Sequence, residues 1–594
     1  MTEEIRNLKK YFGYDSFREG QEEIIKEILA GRDVLGVLPT GGGKSICYQL
    51  PALMKDGISL VISPLISLMK DQVDALRENG IAATFINSSL SLEDYKKSLS
   101  DIKLGVVKLV YISPERLENE FFIDFLKDIR VSFVAVDEAH CISQWGHDFR
   151  PSYKLIPKLY ETFGKVQITA FTATATKEVR DDIIDNLELE DPFVKVTGFD
   201  RKNLLFLVEK PKKKINYLKD FIREHEEDSG IIYASTRKKV DAIHKKLRAM
   251  GYTCGKYHAG MTENERKKSQ DAFIYDEDKI IVATNAFGMG IDKSNVRYVI
   301  HYNMPKDMES YYQEAGRAGR DGEEASCILL YSGQDIIINK HLINMGTNPI
   351  YKRIQLEKLQ TIINYVNTTS CLRQYILNYF GQDAADCCGA CSNCLSEIEK
   401  EDATVDSQKI LSCIYRLDQR YGTSTVVDCL MGSKNKNARE KELNKISTYG
   451  IIKNESKTYI KDLIGTLTAD GYIKVSGTTY PILKLTEKSK DVLFGEVKVL
   501  VNIRSKEERV RKDGFDENLS YDEKLFKHLK EVRLDMARMR NIPPFIIFSD
   551  ASLKVMSQKK PRTEDEMLMI KGVGDKKLLQ YGDIFLAEIR EFER

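Results

Sequence analysis

Short, continuously apolar runs recur along the first part of the chain, each closing in a polar or glycine-rich loop. The clearest in residues 1–200 are DVLGVLP, ISLVISP, KLVYISP, FVAVDEA and VQITAFTAT. Runs of this length, separated by stretches with helical spacing, predict parallel strands buried on both faces and alternating with helices. The series restarts between residues 205 and 335 with SGIIYAS, KIIVATN, RYVIHYN and ASCILLY. Two such series predict an α/β fold class with two tandem doubly wound parallel-sheet domains, 1–204 and 205–335. Ligands of such sheets gather beyond the carboxyl ends of the strands.

The pattern then changes. Residues 336–400 carry helical spacing and end cysteine-rich. Residues 401–500 mix helical spacing with GYIKVSGTTYPILKLT, whose alternation around Gly477 predicts a hairpin. Residues 501–518 are dense in charge and read as a linker. Residues 519–594 read as a small helical unit, with Asp550 as the N-cap of ASLKVM.

Composition narrows the picture without deciding it. With 42% hydrophobic and 30% charged residues the chain is globular rather than disordered. The net charge of +1 means that a polyanion would have to be met by local clusters of charge. The sequence has no apolar run long enough to span a membrane, and MTEEIRNLKKYFG has no signal-peptide apolar core. The expected location is therefore cytoplasmic.

Candidate chemistry sits where the strands end. PTGGGKS follows DVLGVL and contains Thr40, Gly41, Gly42, Gly43, Lys44 and Ser45. Glycines let backbone N–H groups approach phosphate oxygens, a lysine reaches the terminal phosphates, and a hydroxyl suits Mg²⁺. Leu38 stands where the full phosphate-loop pattern has a further glycine. Asp137 and Glu138 close the run SFVAVDEA, as a metal-holding acid and a water-polarising acid would. In QEAGRAGRDG, Arg317 and Arg320 lie three positions apart, on one face if the segment is helical. Such arginines would neutralise charge on a transferring phosphoryl group.

The chain has 11 cysteines, and Cys371, Cys387, Cys388, Cys391 and Cys394 lie close together in sequence. Cys388, Cys391 and Cys394 form two successive C-x-x-C steps, with Cys371 upstream. Four thiolates suit a structural Zn²⁺ or a [4Fe–4S] cluster. Cys387 is one ligand too many and by spacing competes with Cys388.

PTGGGKS, DEAH, FTATAT, ATNAFGMGID and QEAGRAGRDG occur in the order found in superfamily 2 helicases. FGYDSFREGQ before the phosphate loop and HCISQWGHDFRPSY after the acid pair resemble the RecQ family of DNA helicases, and the compact length points to a bacterial member. The resemblance covers essentially the whole chain. It implies two RecA-like domains, a zinc-binding helical module, a winged-helix domain and an HRDC helical bundle. It assigns Tyr14, Arg18 and Gln21 to adenine recognition and the phosphate loop to ATP, Lys44, Asp137, Glu138, Arg317 and Arg320 to hydrolysis, and Cys371, Cys388, Cys391 and Cys394 to Zn²⁺. Segments 63–73, 111–117 and 233–237, with Gly288, Gly290 and Asp292, resemble elements that touch the DNA backbone or join it to the ATP site. The implied activity is ATP- and Mg²⁺-dependent translocation 3′ to 5′ on single-stranded DNA and unwinding of forked duplex DNA. The implied setting is the nucleoid, in repair, recombination, replication and the SOS response, as a monomer working with a single-stranded-DNA-binding protein and a topoisomerase.

DEAHCISQWGHDFRPSY holds the only tryptophan of the chain, Trp145. The resemblance makes His140, Trp145, His147, Phe149 and Arg150 an aromatic-rich loop that couples DNA binding to hydrolysis. By composition alone, a domain core is the favoured place for Trp145 and Phe149, and the two histidines suit a metal. An RNA helicase, or a zinc-bearing DNA adaptor with an inactive motor, are the rival readings.

Overall fold

The computed structural model describes residues 2–87, 90–146, 148–287, 293–395, 400–477, 481–502, 521–540 and 542–593. The first domain is built on a seven-stranded parallel sheet. Its strands are β1 (Val34–Val37), β2 (Ile58–Ile62), β3 (Ala83–Ile86), β4 (Leu109–Ile112), β5 (Val131–Val136), β6 (Ile168–Thr172) and β7 (Phe193–Val196). They lie in the order β3-β4-β2-β5-β6-β1-β7. Every residue of β1, β2, β4 and β6 is buried, as helices on both faces demand.

The second domain has a six-stranded parallel sheet of β8 (Leu204–Glu209), β9 (Ser229–Tyr233), β10 (Cys254–Tyr257), β11 (Ile280–Ala283), β12 (Val296–His301) and β13 (Ala325–Leu330). Its order is β10-β11-β9-β12-β13-β8. The nine strands expected from apolar runs are the interior members of the two sheets, β1, β2, β4, β5, β6, β9, β11, β12 and β13. The four remaining, β3, β7, β8 and β10, are their edges.

The order of the first sheet positions the chemistry. β5, β6 and β1 are consecutive neighbours, and parallel pairing puts their carboxyl ends on one rim. Asp137–Glu138, the Thr172–Thr174 segment and the phosphate loop therefore emerge side by side, although they are scattered through the sequence.

An apolar core runs from this sheet through the linker to the second domain and on into helices Pro349–Tyr365 and Leu372–Tyr379. Phe199 in the linker stacks on Phe380 at 4.5 Å between ring centres. The Tyr312 hydroxyl donates to the Phe199 carbonyl at 2.7 Å. The interdomain linker is thus clamped by both later modules.

Two smaller cores follow. Helices Thr404–Arg416, Thr423–Leu430 and Lys457–Ala469 pack with an antiparallel pair, Ile473–Ser476 and Ile482–Leu485. The expected hairpin is present, and Gly477 at φ 86° begins its turn. Tyr480 and the 503–518 part of the expected linker lie outside the described residues.

Helices Glu523–Arg540, Asp550–Lys559 and Asp583–Phe592 form the last core. The N-cap there is Ser549, not Asp550: its extended backbone lets the side chain accept the Ser552 N–H at 3.1 Å. Asp550 is drawn inward instead and pairs with buried Arg533 at 2.7 Å. Burial by itself would raise the Asp550 pKa, and the field of Arg533, Lys530 and Arg297 reverses this, taking it to about 2.

This bundle docks on the first domain. The Gly572 N–H donates to the Gly13 carbonyl at 3.1 Å, and the Tyr581 hydroxyl to Glu78 at 3.1 Å. A Cβ on Gly13 would meet Val573 and Gly574 backbone atoms at 2.9 Å. The GVGDKK segment packs against the chain's own first domain, with Lys576 donating to the Arg77 carbonyl.

Candidate active site

The phosphate loop turns sharply from β1 into the helix Lys44–Met54. Gly41 and Gly43 have φ 77° and 80°, a backbone region that costs an L side chain energy and glycine little. Gly43 is the N-cap, so the loop meets the positive end of the helix. Lys44 and Ser45 are its first two residues and are partly exposed. The Thr40 hydroxyl oxygen is buried with no hydrogen-bond partner among the described residues.

Residues expected at the adenine sit directly above this loop. Tyr14 packs against Leu8, Ile25 and Leu50. Gln21 is buried, accepts the Arg18 N–H at 2.8 Å and donates to the Gly42 and Gly43 carbonyls at 3.3 and 3.1 Å. Arg18 donates to the Gly41 carbonyl. In this state the Gln21 amide and the Arg18 guanidinium hold the phosphate loop itself.

Asp137 leaves β5 and is 7% exposed; its Oδ1 accepts the Glu138 N–H at 3.0 Å. Glu138 sits at φ 47°, which turns its side chain away from the strand direction. His140 is fully buried, with Nδ1 2.9 Å from Thr172 Oγ1 and 3.3 Å from Glu138 Oε2. It joins the acid pair to the Thr172–Thr174 segment and presents nothing to solvent.

The two arginines do not share a helical face as expected. The helix Met308–Ala315 ends before them, because Gly316 and Gly319 break it, the latter at φ 55°. Arg317 is buried beside Tyr233, whose hydroxyl pKa is raised by burial and held back by the nearby guanidinium. Arg320 reaches the cleft: its Cα would lie 3.5 Å from a Cβ on Gly41. A Cβ on Gly316 would likewise lie 3.0 Å from Thr40 Cβ. The two domains therefore meet across the phosphate loop.

Trp145 is 45% exposed, which removes it from the core. Its carbonyl accepts from Lys358 at 2.7 Å, and Lys358 also pairs with buried Glu309 in the first turn of the Met308–Ala315 helix. The loop of the first domain and the helix leading to Arg320 are thus held by one ammonium. Phe149 is partly buried, under Lys154 at 5.7 Å from the ring centre. Arg150 is committed to Asp148 at 3.0 Å and the Pro64 carbonyl at 2.8 Å, so it braces the loop against the 63–73 segment. His147, Gly288, Gly290 and Asp292 lie outside the described residues.

Cys371, Cys388, Cys391 and Cys394 bring their sulfurs within 4.8 Å of one another, and Cys371 and Cys391 are 4.0 Å apart. A tetrahedral Zn²⁺ with Zn–S bonds of about 2.3 Å spaces its sulfurs about 3.8 Å apart, so the donor set fits zinc. A four-iron cluster would bind each thiolate at a separate corner and spread them wider. Cys387 is exposed and outside the group, which settles the choice of Cys388. Among the described residues no second group of this kind brings in His140.

Sequence motifs did not mark Arg201, Arg373 or Lys358, because each acts on main-chain carbonyls or on a partner in another module. The only available signal is a charged residue embedded in an otherwise apolar junction, as in TGFDRKNLLF.

The chain matches the DEAD/DEAH box helicase model over residues 18–182 and the helicase conserved C-terminal domain over 213–322. With the paired parallel sheets and the shared cleft, these define an ATP-dependent helicase motor. The RecQ zinc-binding model matches residues 333–395, the RQC domain 397–510 and the HRDC domain 522–589. The ATP-dependent DNA helicase RecQ of Bacillus subtilis is 46% identical over 589 residues, covering 99% of this chain and 98% of that protein. The protein of the same name from Haemophilus influenzae is 42% identical, covering 98% and 95%. The chain belongs to the RecQ family of ATP-dependent DNA helicases.

Proposed function

We propose that this helicase moves 3′ to 5′ on single-stranded DNA, opens forked duplex, and serves repair, recombination and replication. The observation that carries the motor reading is the cleft itself: a Cβ placed on Gly41 in the first domain would lie 3.5 Å from Arg320 Cα in the second. The polarity rests on the family resemblance. Lys44 and the loop N–H groups hold the ATP phosphates, and Tyr14 and Gln21 take the adenine once nucleotide draws Gln21 off the loop. Ser45 and Asp137 would hold Mg²⁺, which neutralises phosphate charge. Glu138 orients the attacking water, and Arg320 stabilises charge on the transferring group. Loss of the γ-phosphate removes the bridge between the domains and lets the cleft open. Lys434, Lys436 and Arg439 serve the duplex phosphates. We read the working form as a cytoplasmic, nucleoid-associated monomer, with a single-stranded-DNA-binding protein and a topoisomerase as partners.

Labelled duplexes with a single 3′ or 5′ tail test the polarity. Unwinding is expected only with the 3′ tail; preference for the 5′ tail overturns it. A parallel comparison of ATPase stimulation by DNA and RNA is expected to favour DNA.

Trp145→Ala probes the loop. A stacked base is worth about 1–3 kcal/mol, so DNA-stimulated hydrolysis and unwinding are expected to fall while nucleotide binding holds. Equal loss of nucleotide binding would give Trp145 a purely structural role.

A further inference from the structure

We propose that Arg201, in the linker between the domains, is a positioning residue that sets the register of Arg320 against the phosphate loop. Its guanidinium spans the cleft. Nη1 donates to the Thr40 carbonyl in the phosphate loop and toward the Gly316 carbonyl at 3.5 Å. Nη2 donates to the carbonyls of Ala318 at 3.1 Å and Gly319 at 2.6 Å. One rigid fork therefore binds the loop that would hold the phosphates and the turn that carries Arg320.

The neighbours fit that task. Asn203 Nδ2 donates to the Gly319 carbonyl at 2.9 Å and the Glu323 carbonyl at 2.7 Å, fixing the far side of the same turn. Arg201 Nη1 would lie 3.2 Å from a Cβ on Gly41, so the guanidinium is seated against the loop's glycine. The main chain of Arg201 is itself gripped: Arg373 donates to its carbonyl at 2.8 Å, to Asp200 Oδ1 at 2.6 Å and to the Leu204 carbonyl at 2.6 Å. Arg373 is buried and lies in the first turn of the helix that Cys371 caps. The register of the cleft is thus referred back to the cysteine module.

Carbonyl acceptors explain the residue type. No carboxylate is needed to hold a guanidinium that can place planar N–H donors on two loops at once, whereas an ammonium is a point donor with no fixed fork. Misplacement of a reacting group by about 1 Å costs about 100-fold in rate. Displacing the Gly316–Gly319 turn would misplace Arg320 on that scale, without removing any group that touches ATP.

The inference rests on Arg320 acting at the transferring phosphoryl group. Its test is a double-mutant cycle of Arg201→Met and Arg320→Ala in the full-length protein, with DNA-stimulated phosphate release followed in single turnover. Arg201→Met is expected to lower the rate about 100-fold, with a much smaller change in KM, and to add little to the loss in Arg320→Ala. Arg201→Lys, which keeps charge and length, is expected to show the same loss at an unchanged melting temperature. Losses that multiply, an effect on KM alone, or full activity of Arg201→Lys would overturn the assignment. If Arg320→Ala keeps its full rate, the reading of Arg320 fails first. If Arg320→Ala is impaired and the Arg201 variants are not, only the positioning role fails.

Discussion

Arg320→Ala is expected to produce the largest loss of turnover of any single change outside the phosphate loop. An arginine supplied to the transferring phosphoryl group is worth about 10³–10⁵ in rate. Arg320 is the residue we propose for this. Its Cα approaches the Gly41 position, whereas Arg317 is buried beside Tyr233. The loss should fall on kcat, because the adenine side of the site, around Tyr14 and Gln21, is untouched. Binding of a fluorescent ATP analogue should stay near that of the parent while phosphate release collapses. A variant that binds nucleotide poorly and turns over normally what it binds would mean that Arg320 contributes to affinity and not to the chemical step. Arg317→Ala provides the contrast. Removing a buried guanidinium beside the Tyr233 hydroxyl should lower stability as well as rate, and a shifted melting temperature reads that difference.

Removing zinc is the second large effect. Cys391→Ala deletes a fully buried ligand from the four-thiolate group. The parent protein is expected to carry about one zinc and no iron per chain by elemental analysis, and the variant none. Structural zinc contributes about 10–16 kcal/mol of apparent binding free energy in small domains, more than the net stability of most proteins. The helix Leu372–Tyr379 begins at Cys371, so it should loosen and expose residues 371–395 to protease. Cys387→Ala, outside the group and exposed, should keep its zinc. Iron in the anaerobically purified parent would replace zinc by a cluster.

The consequences should not stop at the metal. Arg373 follows Cys371 by two residues and holds Asp200 and the Arg201 carbonyl, and Phe380 stacks on Phe199. The end of the zinc helix and the interdomain linker share one apolar and hydrogen-bonded junction. Loss of the module's fold therefore removes the brace on the linker that joins the two motor domains.

How much of this was legible beforehand depends on where each residue sits. The interior strands announced themselves because burial on both faces leaves a continuous apolar run, as in ISLVISP and KIIVATN. The edge strands did not. β7 is half exposed and alternates, and β10 reads CGKY, so neither carries that signature. PTGGGKS and the cysteine steps were readable because phosphate and zinc impose local spacing on the chain. The Arg317–Arg320 segment was read wrongly as a helix, since the helix ends at Ala315, just before two glycines that look merely permissive in sequence. Composition alone favoured a core position for Trp145, and its 45% exposure overturned that.

By itself, then, the sequence determined the two α/β domains, the phosphate loop, the acid pair and the thiolate set. Each is specified by contacts within a few residues or by the demand that an element be buried on both faces. Only the tertiary structure decided that the Arg320 backbone lies against the phosphate loop, that His140 bridges Glu138 to Thr172, and that Arg201, Arg373 and Lys358 tie the modules together. Those roles consist of donors meeting main-chain carbonyls or acids more than a hundred positions away in the chain in most cases. A carbonyl is present at every residue, so nothing in the amino-acid code marks the one that will be used.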